Sequence, residues 1–238
     1  MTMDEYGQVL NAQGFIPARP KVQWCLALDI GQAADPSAIC VLERREDPIS
    51  WEGEGVFADL TQRLAPPQYY VRHLQRLPLQ MPYPTQINFV TSLLQREPLR
   101  SASAKLVADG TGVERAVCDM FRALNPTVVI ITSGMGERRN WEDGTGYYHV
   151  AKIQLVSGLQ AQLNNGTLHI AAQLPEAVTL VNELGNFRAN ISETTGIASF
   201  GARQGQHDDL VLSLALAVWW LVGPRSGGSK MTVQPLEL

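Results

Sequence analysis

The clearest alternation of apolar positions in the chain runs over residues 22–28, where Trp24, Leu26 and Leu28 interleave with Gln23, Cys25 and Ala27. A period of two predicts a strand. Both sets are largely apolar, so both faces are expected to be covered and the strand to be central in its sheet. It stops at Asp29, followed by Gly31 and the turn-forming Ala34, Asp35 and Pro36. Residues 37–43 and 49–60 read as two more strands around a polar turn at 44–48, an antiparallel three-strand meander. Pro66 and Pro67 open a predicted helix through Leu77, with Tyr70, Leu74 and Leu77 on one face. After a Pro-rich break at 78–84, helical spacing resumes over 85–97.

Residues 104–108 are a short apolar run ending at Asp109-Gly110-Thr111-Gly112, which repeats the order of apolar strand, Asp and Gly. A helix over 113–124 and a strand over 127–132 complete a strand, helix, strand unit, hence a parallel pair and a mixed sheet. Residues 133–148 read as a Gly-bearing loop carrying Arg138, Arg139, Trp141, Tyr147 and Tyr148. The pattern then predicts a helix at 152–163, a strand at 167–171, a helix at 175–187 and an irregular hairpin at 190–202. A strongly apolar closing helix begins at His207-Asp208-Asp209 and runs to Val222. The expected organisation is an N-terminal arm or linker (1–20), one α/β domain (21–222) flanked by helices, and a flexible polar tail (223–238).

Composition narrows the class. Of 238 residues, 45% are hydrophobic and 18% charged, enough for one sizeable core. The net charge of −4 means that any nucleic-acid contact must rest on a local basic patch. Cys25, Cys40 and Cys118 form no Cys-x-x-Cys pair and read as reduced residues, which points to the cytoplasm. The N-terminus lacks a signal-peptide pattern. The longest apolar run, 210–222, falls short of the roughly 20 residues that span a bilayer, so no membrane partner is expected.

The chemistry lies in the acids. Asp29 and Asp109 end two predicted strands, and neighbouring strands lie about 4.8 Å apart. Asp208 and Asp209 head a helix that must pack on the sheet, which makes a third acidic position. Acidic positions without thiol ligands suit hard cations, Mg²⁺ or Mn²⁺. Two such ions about 3.5–4 Å apart would activate water and stabilise the leaving oxygen in phosphodiester hydrolysis. Each acid also has an ordinary structural role: Asp29 as a turn or cap residue, Asp109 as a cap of the Thr-Gly turn, Asp208 and Asp209 as an N-cap and its dipole-favoured neighbour. Their combination on these elements is what points to a site. His207 is placed between a surface residue and a ligand or proton carrier.

Three stretches together resemble the nuclease domain of the phage terminase large subunit. They are Leu28-Asp29-Ile30-Gly31-x4-Pro36-Ser37-Ala38-Ile39, Val107-Ala108-Asp109-Gly110-Thr111-Gly112-Val113, and Gly205-x-His207-Asp208-Asp209-Leu210-Val211 continuing to Ala217. The resemblance extends through residues 152–157 and Glu183-Leu184 and covers most of 22–222. It implies a ribonuclease H-like fold and two-metal cleavage of double-stranded DNA during genome packaging, in host cytoplasm. Carried over by position, Asp29 lies between the two ions, Asp109 holds one, and Asp209, with Asp208 as the close alternative, holds the other. Leu212-Ser213 departs from the further Asp-Ala of many relatives, which leaves a fourth carboxylate unaccounted for.

No Gly-x4-Gly-Lys-[Ser/Thr] phosphate loop occurs in the chain. The packaging ATPase is therefore expected as a partner, alongside the small terminase subunit and portal, and the chain reads as a separate nuclease domain, excised or stand-alone. DNA contact is assigned to Arg138 and Arg139, diluted by Glu137, Glu142 and Asp143, with Lys152, Arg188 and Arg203 across the site. Other classes fit parts of the pattern. An actin or sugar-kinase type nucleotide-binding module would use Asp29-Ile30-Gly31 and Asp109-Gly110-Thr111-Gly112 as phosphate loops. A Holliday-junction resolvase would share fold and metal chemistry, and an inactive docking domain would retain the acids without using them.

Overall fold

The computed structural model describes residues 2–3, 9–10, 20–31, 35–49, 64–112, 117, 120–133, 137–139, 147–186, 188–191, 198–201 and 208–223. For 2–3, 9–10, 137–139, 188–191 and 198–201 it describes backbone pairing alone. Strands β1 (Lys21–Asp29), β2 (Ala38–Glu46) and β3 (Gln68–Arg76) run antiparallel in succession. Helix α1 (Tyr83–Leu94) leads to β4 (Lys105–Asp109), which pairs parallel with β1, and β5 (Thr127–Thr132) pairs parallel with β4. Next come β6 (Glu137–Arg139), β7 (Tyr148–Ala151), α2 (Lys152–Asn164), β8 (Leu168–Ile170) and α3 (Ala177–Asn186). A separate antiparallel pair, β9 (Arg188–Ile191) and β10 (Ala198–Gly201), precedes the closing helix α4 (Asp209–Val222). The main sheet has the order β8-β3-β2-β1-β4-β5-β7-β6. Thr2–Met3 pairs with Val9–Leu10 within residues expected to form the arm.

The two apolar sets of β1 fill two cores. Cys25 and Ala27 join Ala38, Cys40, Val107 and Val129 under α4 and α2, whereas Leu26 and Leu28 join Ile39, Val41 and Leu106 against α1. Helix α4 is buried on nearly all sides, because it lies between the sheet and α2, which is why its sequence shows no polar face. No helix among the described residues is long and apolar enough to cross a membrane.

One expectation is overturned outright: the stretch read as a helix over 66–77 is the strand β3. The cause is a bulge. Leu42 pairs with Val71 and Val41 with His73, so Arg72 is an extra residue in β3. Buried positions therefore step from Tyr69 to Val71 and then to Leu74, and the step of three imitates helical spacing. The third strand of the meander is thus β3; the expected strand at 49–60 falls almost wholly outside the described residues. The 133–148 loop is corrected in part, since it contains β6 and the start of β7. Of the helix expected at 113–124, Val117 and Met120–Phe121 are helical and Arg122–Leu124 forms a 3-10 turn.

Candidate metal centre

Strand register aligns a row of residues across the sheet: Arg76 opposite Ala38, Ala38 opposite Asp29, Asp29 opposite Asp109, and Asp109 opposite Val129. Residues in register share a face, and this face is the one covered by α4. Asp29 and Asp109 therefore stand side by side on adjacent parallel strands, about 4.8 Å apart by strand spacing. Between Asp29 and Arg76 lies only the small, fully buried Ala38.

Each acid is fixed differently. Asp109 does cap its turn, as the sequence allowed: Oδ1 accepts the Thr111 N–H at 2.8 Å. That turn is fastened to β5, because Gly110 N donates to Val129 O at 2.8 Å and Ile131 N donates to Thr111 Oγ1 at 2.7 Å. Beyond Asp29, Gly31 N donates to Ser37 Oγ (3.0 Å), Ser37 Oγ to Gln86 Oε1 (2.9 Å), and Gln86 Nε2 to Met81 O (2.9 Å), a relay that ties the loop to α1. Gly31 permits this fold-back, since a Cβ there would lie 2.2 Å from Asp35 O and 2.5 Å from Pro36 C. The obstacle is backbone, so Gly31→Ala is expected to cost about 1–3 kcal/mol in urea unfolding followed by tryptophan fluorescence. An unchanged midpoint would mean that the loop yields freely.

At the head of α4, Asp208 occupies the N-cap position but makes no capping bond. Its Oδ2 instead accepts from Lys152 Nζ at 2.8 Å. Asp209 is held in a bidentate fork, with Arg76 Nε donating to Oδ2 at 2.7 Å and Nη2 to Oδ1 at 3.0 Å. Arg76 Nη2 also donates to Glu183 Oε1, and Glu183 Oε2 accepts the Val211 N–H at 3.2 Å. Arg76 and Glu183 are site residues to which the sequence reading gave no role. Arg76 was hidden by the β3 bulge, and the only signal for Glu183 was its place in a resembling stretch.

Five carboxyls, Asp29, Asp109, Asp208, Asp209 and Glu183, thus meet two cations, Lys152 and Arg76. Burial, and then the charges of Asp109, Asp209 and Asp208, push the proton affinity of Asp29 well above the carboxylate range; Lys152 opposes them. Asp109 is pushed up to about 6, because burial outweighs its Thr111 hydrogen bonds and Lys152. Glu183 rises to about 7 through burial and the charge of Asp209, against Arg76 and the Val211 N–H. The excess negative charge is what a divalent cation would neutralise, and an all-oxygen donor set fits a hard ion. As they stand, no three His, Cys, Asp or Glu side chains among the described residues converge into a metal cage. Asp208 and Asp209 are turned to Lys152 and Arg76.

Of the other expected site residues, Lys152 joins the acids directly. Arg138 and Arg139 lie on β6, three strands beyond β4 and roughly 14 Å away by strand spacing. Arg188 starts β9, and its side chain is outside the description, as are His207 and Arg203 altogether.

No protein-family model matches the chain, and no curated protein matches it. Its structure is similar to that of the large terminase nuclease from thermophilic phage G20c, at 22% identity and a TM-score of 0.54 over 82% of this chain and 81% of that one. The same nuclease with bound cobalt aligns at 23% identity and a TM-score of 0.55, over 83% and 80% of the two chains. At such identities the likeness shows a shared fold. The chain has the ribonuclease H-like fold of large terminase nuclease domains, as the motifs around its acids led one to expect.

Proposed function

We propose that this chain is an endonuclease that hydrolyses double-stranded DNA with two divalent ions, Mg²⁺ or Mn²⁺, in the manner of a packaging terminase. The observation that carries the reading is the in-register pair Asp29 and Asp109 facing the acids of α4, with more negative charge than the protein itself neutralises. The cobalt bound by the G20c nuclease supports divalent-metal use on this fold. The ions would be held by Asp29, Asp109 and the α4 acids, and when bound they supply an activated water and charge stabilisation at the leaving oxygen. The chain's own residues do the positioning. The Thr111 turn aims Asp109, the Ser37 and Gln86 relay holds the loop after Asp29, and Arg76 sets the angle of Asp209.

Arg138, Arg139, Arg188 and Arg203 are assigned to the DNA backbone and His207 to the head of α4. A packaging ATPase, small subunit and portal are the partners that go with this reading. The nucleotide-binding alternative is disfavoured because Thr111 N–H, which a phosphate loop needs, is already given to Asp109.

The test is cleavage of supercoiled plasmid, linear duplex and a four-way junction with Mn²⁺, Mg²⁺ or EDTA. Nicking and linearisation of duplex DNA with either ion, and none in EDTA, is the expected result. Equal activity of wild type and Asp109→Asn would mark a contaminant and sink the reading; cleavage restricted to the four-way DNA would turn it into a junction resolvase.

A further inference from the structure

Lys152 stands where a helix least favours a cation. It is the first residue of α2, with no acidic residue in that first turn, and the helix dipole disfavours positive charge at an N-terminus. What holds it there is the acid cluster. Its Nζ donates to Asp208 Oδ2 at 2.8 Å, and its positive charge also lowers the proton affinity of Asp29 and Asp109 against their burial. The lysine side chain is only 25% exposed and that of Asp208 23%. Arg76 differs in kind, since it engages both oxygens of Asp209 and also Glu183. Arg76 is thus built in through a bidentate fork and a second acid, whereas Lys152 meets α4 at Asp208 Oδ2. Asp209 weighs more on Asp29 than Asp208 does, yet Arg76 takes both its oxygens, which leaves Asp208 as the α4 acid that a cation can reach by exchange.

We propose that Lys152 is an internal counter-ion that keeps Asp29, Asp109 and Asp208 together in the metal-free protein and gives up Asp208 when a divalent cation enters. The assignment rests on the metal-dependent reading above, and it reorders the α4 acids, with Asp208 as ligand and Asp209 as the anchored neighbour. Lys152 is in this sense a positioning residue whose charge competes with the ion.

Mn²⁺ binding by calorimetry tests it. Lys152→Met is expected to bind the first Mn²⁺ about tenfold more tightly than wild type, the scale of one partly screened unit charge a few ångströms away. Unchanged or weaker binding overturns the proposal. Wild type supplies a second measurement that needs no variant to fold. Saturating Mg²⁺ should speed reductive methylation of Lys152 several-fold, read by mass spectrometry, while exposed Lys21 stays constant; an unchanged Lys152 rate overturns the exchange. If Asp29→Asn abolishes Mn²⁺ binding but Lys152→Met leaves it as in wild type, only the exchange falls. If wild type binds no Mn²⁺ at all, the metal-dependent reading falls with it.

Discussion

Asp29→Asn is expected to lower metal-dependent DNA cleavage by about three orders of magnitude or more, and to raise the melting temperature of the metal-free protein at pH 8. The first effect follows from position. Asp29 is the middle of the row, beside Asp109 in register and under the charge of both α4 acids, so its loss disturbs any ion held there. Several kcal/mol of transition-state charge stabilisation depend on such ions, and each 1.4 kcal/mol or so is tenfold in rate.

The second effect comes from proton linkage. A carboxyl whose folded-state proton affinity is raised contributes stability that is fully present below its unfolded pKa and lost as pH rises through the folded one. Asp109 at about 6, Glu183 at about 7 and the strongly raised Asp29 all have this sign. The metal-free protein should therefore weaken between about pH 4 and about pH 7. An amide at position 29 removes one of the repelling charges, which should raise the melting temperature at pH 8 by about 3 °C or more. The difference should shrink as the pH is lowered, because the raised proton affinity of wild-type Asp29 favours its neutral form there, and also with Mg²⁺, which stabilises only the wild type. A variant that melts below wild type at pH 8 without metal would show that the acids are not crowded against one another.

This trade of stability for charge explains why the acids were legible in the sequence. An Asp closing an otherwise apolar strand breaks the local pattern, and Asp29 and Asp109 do so within the same grammar of strand, acid and glycine. The central strands were equally plain, because β1 and β4 are apolar runs buried on both faces and β5 is a short apolar run that buries Val129 in the core under α4. Elements with a local irregularity were not. In β3 the extra residue Arg72 shifts the alternation, so a strand was read as a helix, and the cation at its end, Arg76, went unnoticed. Glu183 could not be found locally, since its burial and its bond to Val211 N exist only once α3 and α4 are packed together. Lys152 was placed at the site for its charge, but as a contact for DNA; its ion pair with Asp208, 56 residues away, is a tertiary fact.

Arg76→Met should be the most destabilising single change at the site, costing about 3 kcal/mol in urea unfolding at pH 8. Methionine keeps much of the side-chain volume, so the loss reports charge rather than a cavity. Asp209 and Glu183, each with a side chain 8% exposed, would be left facing one another without their shared guanidinium. Glu183→Gln should cost less than about 1 kcal/mol, because Glu183 takes a proton near pH 7 already and the amide mimics that form while keeping an acceptor for Val211 N. Combining the two should recover part of the Arg76→Met loss, since only one buried carboxyl then lacks a partner. The pH dependence separates this account from a packing defect. With Arg76 gone, Glu183, whose proton affinity is already raised to about 7, can escape the repulsion by taking up a proton, so the penalty should be clearly smaller at pH 5 than at pH 8. A penalty that is the same at both pH values would mean that Arg76 holds α4 to the sheet by its shape, and that the charge of Asp209 is carried by some other group.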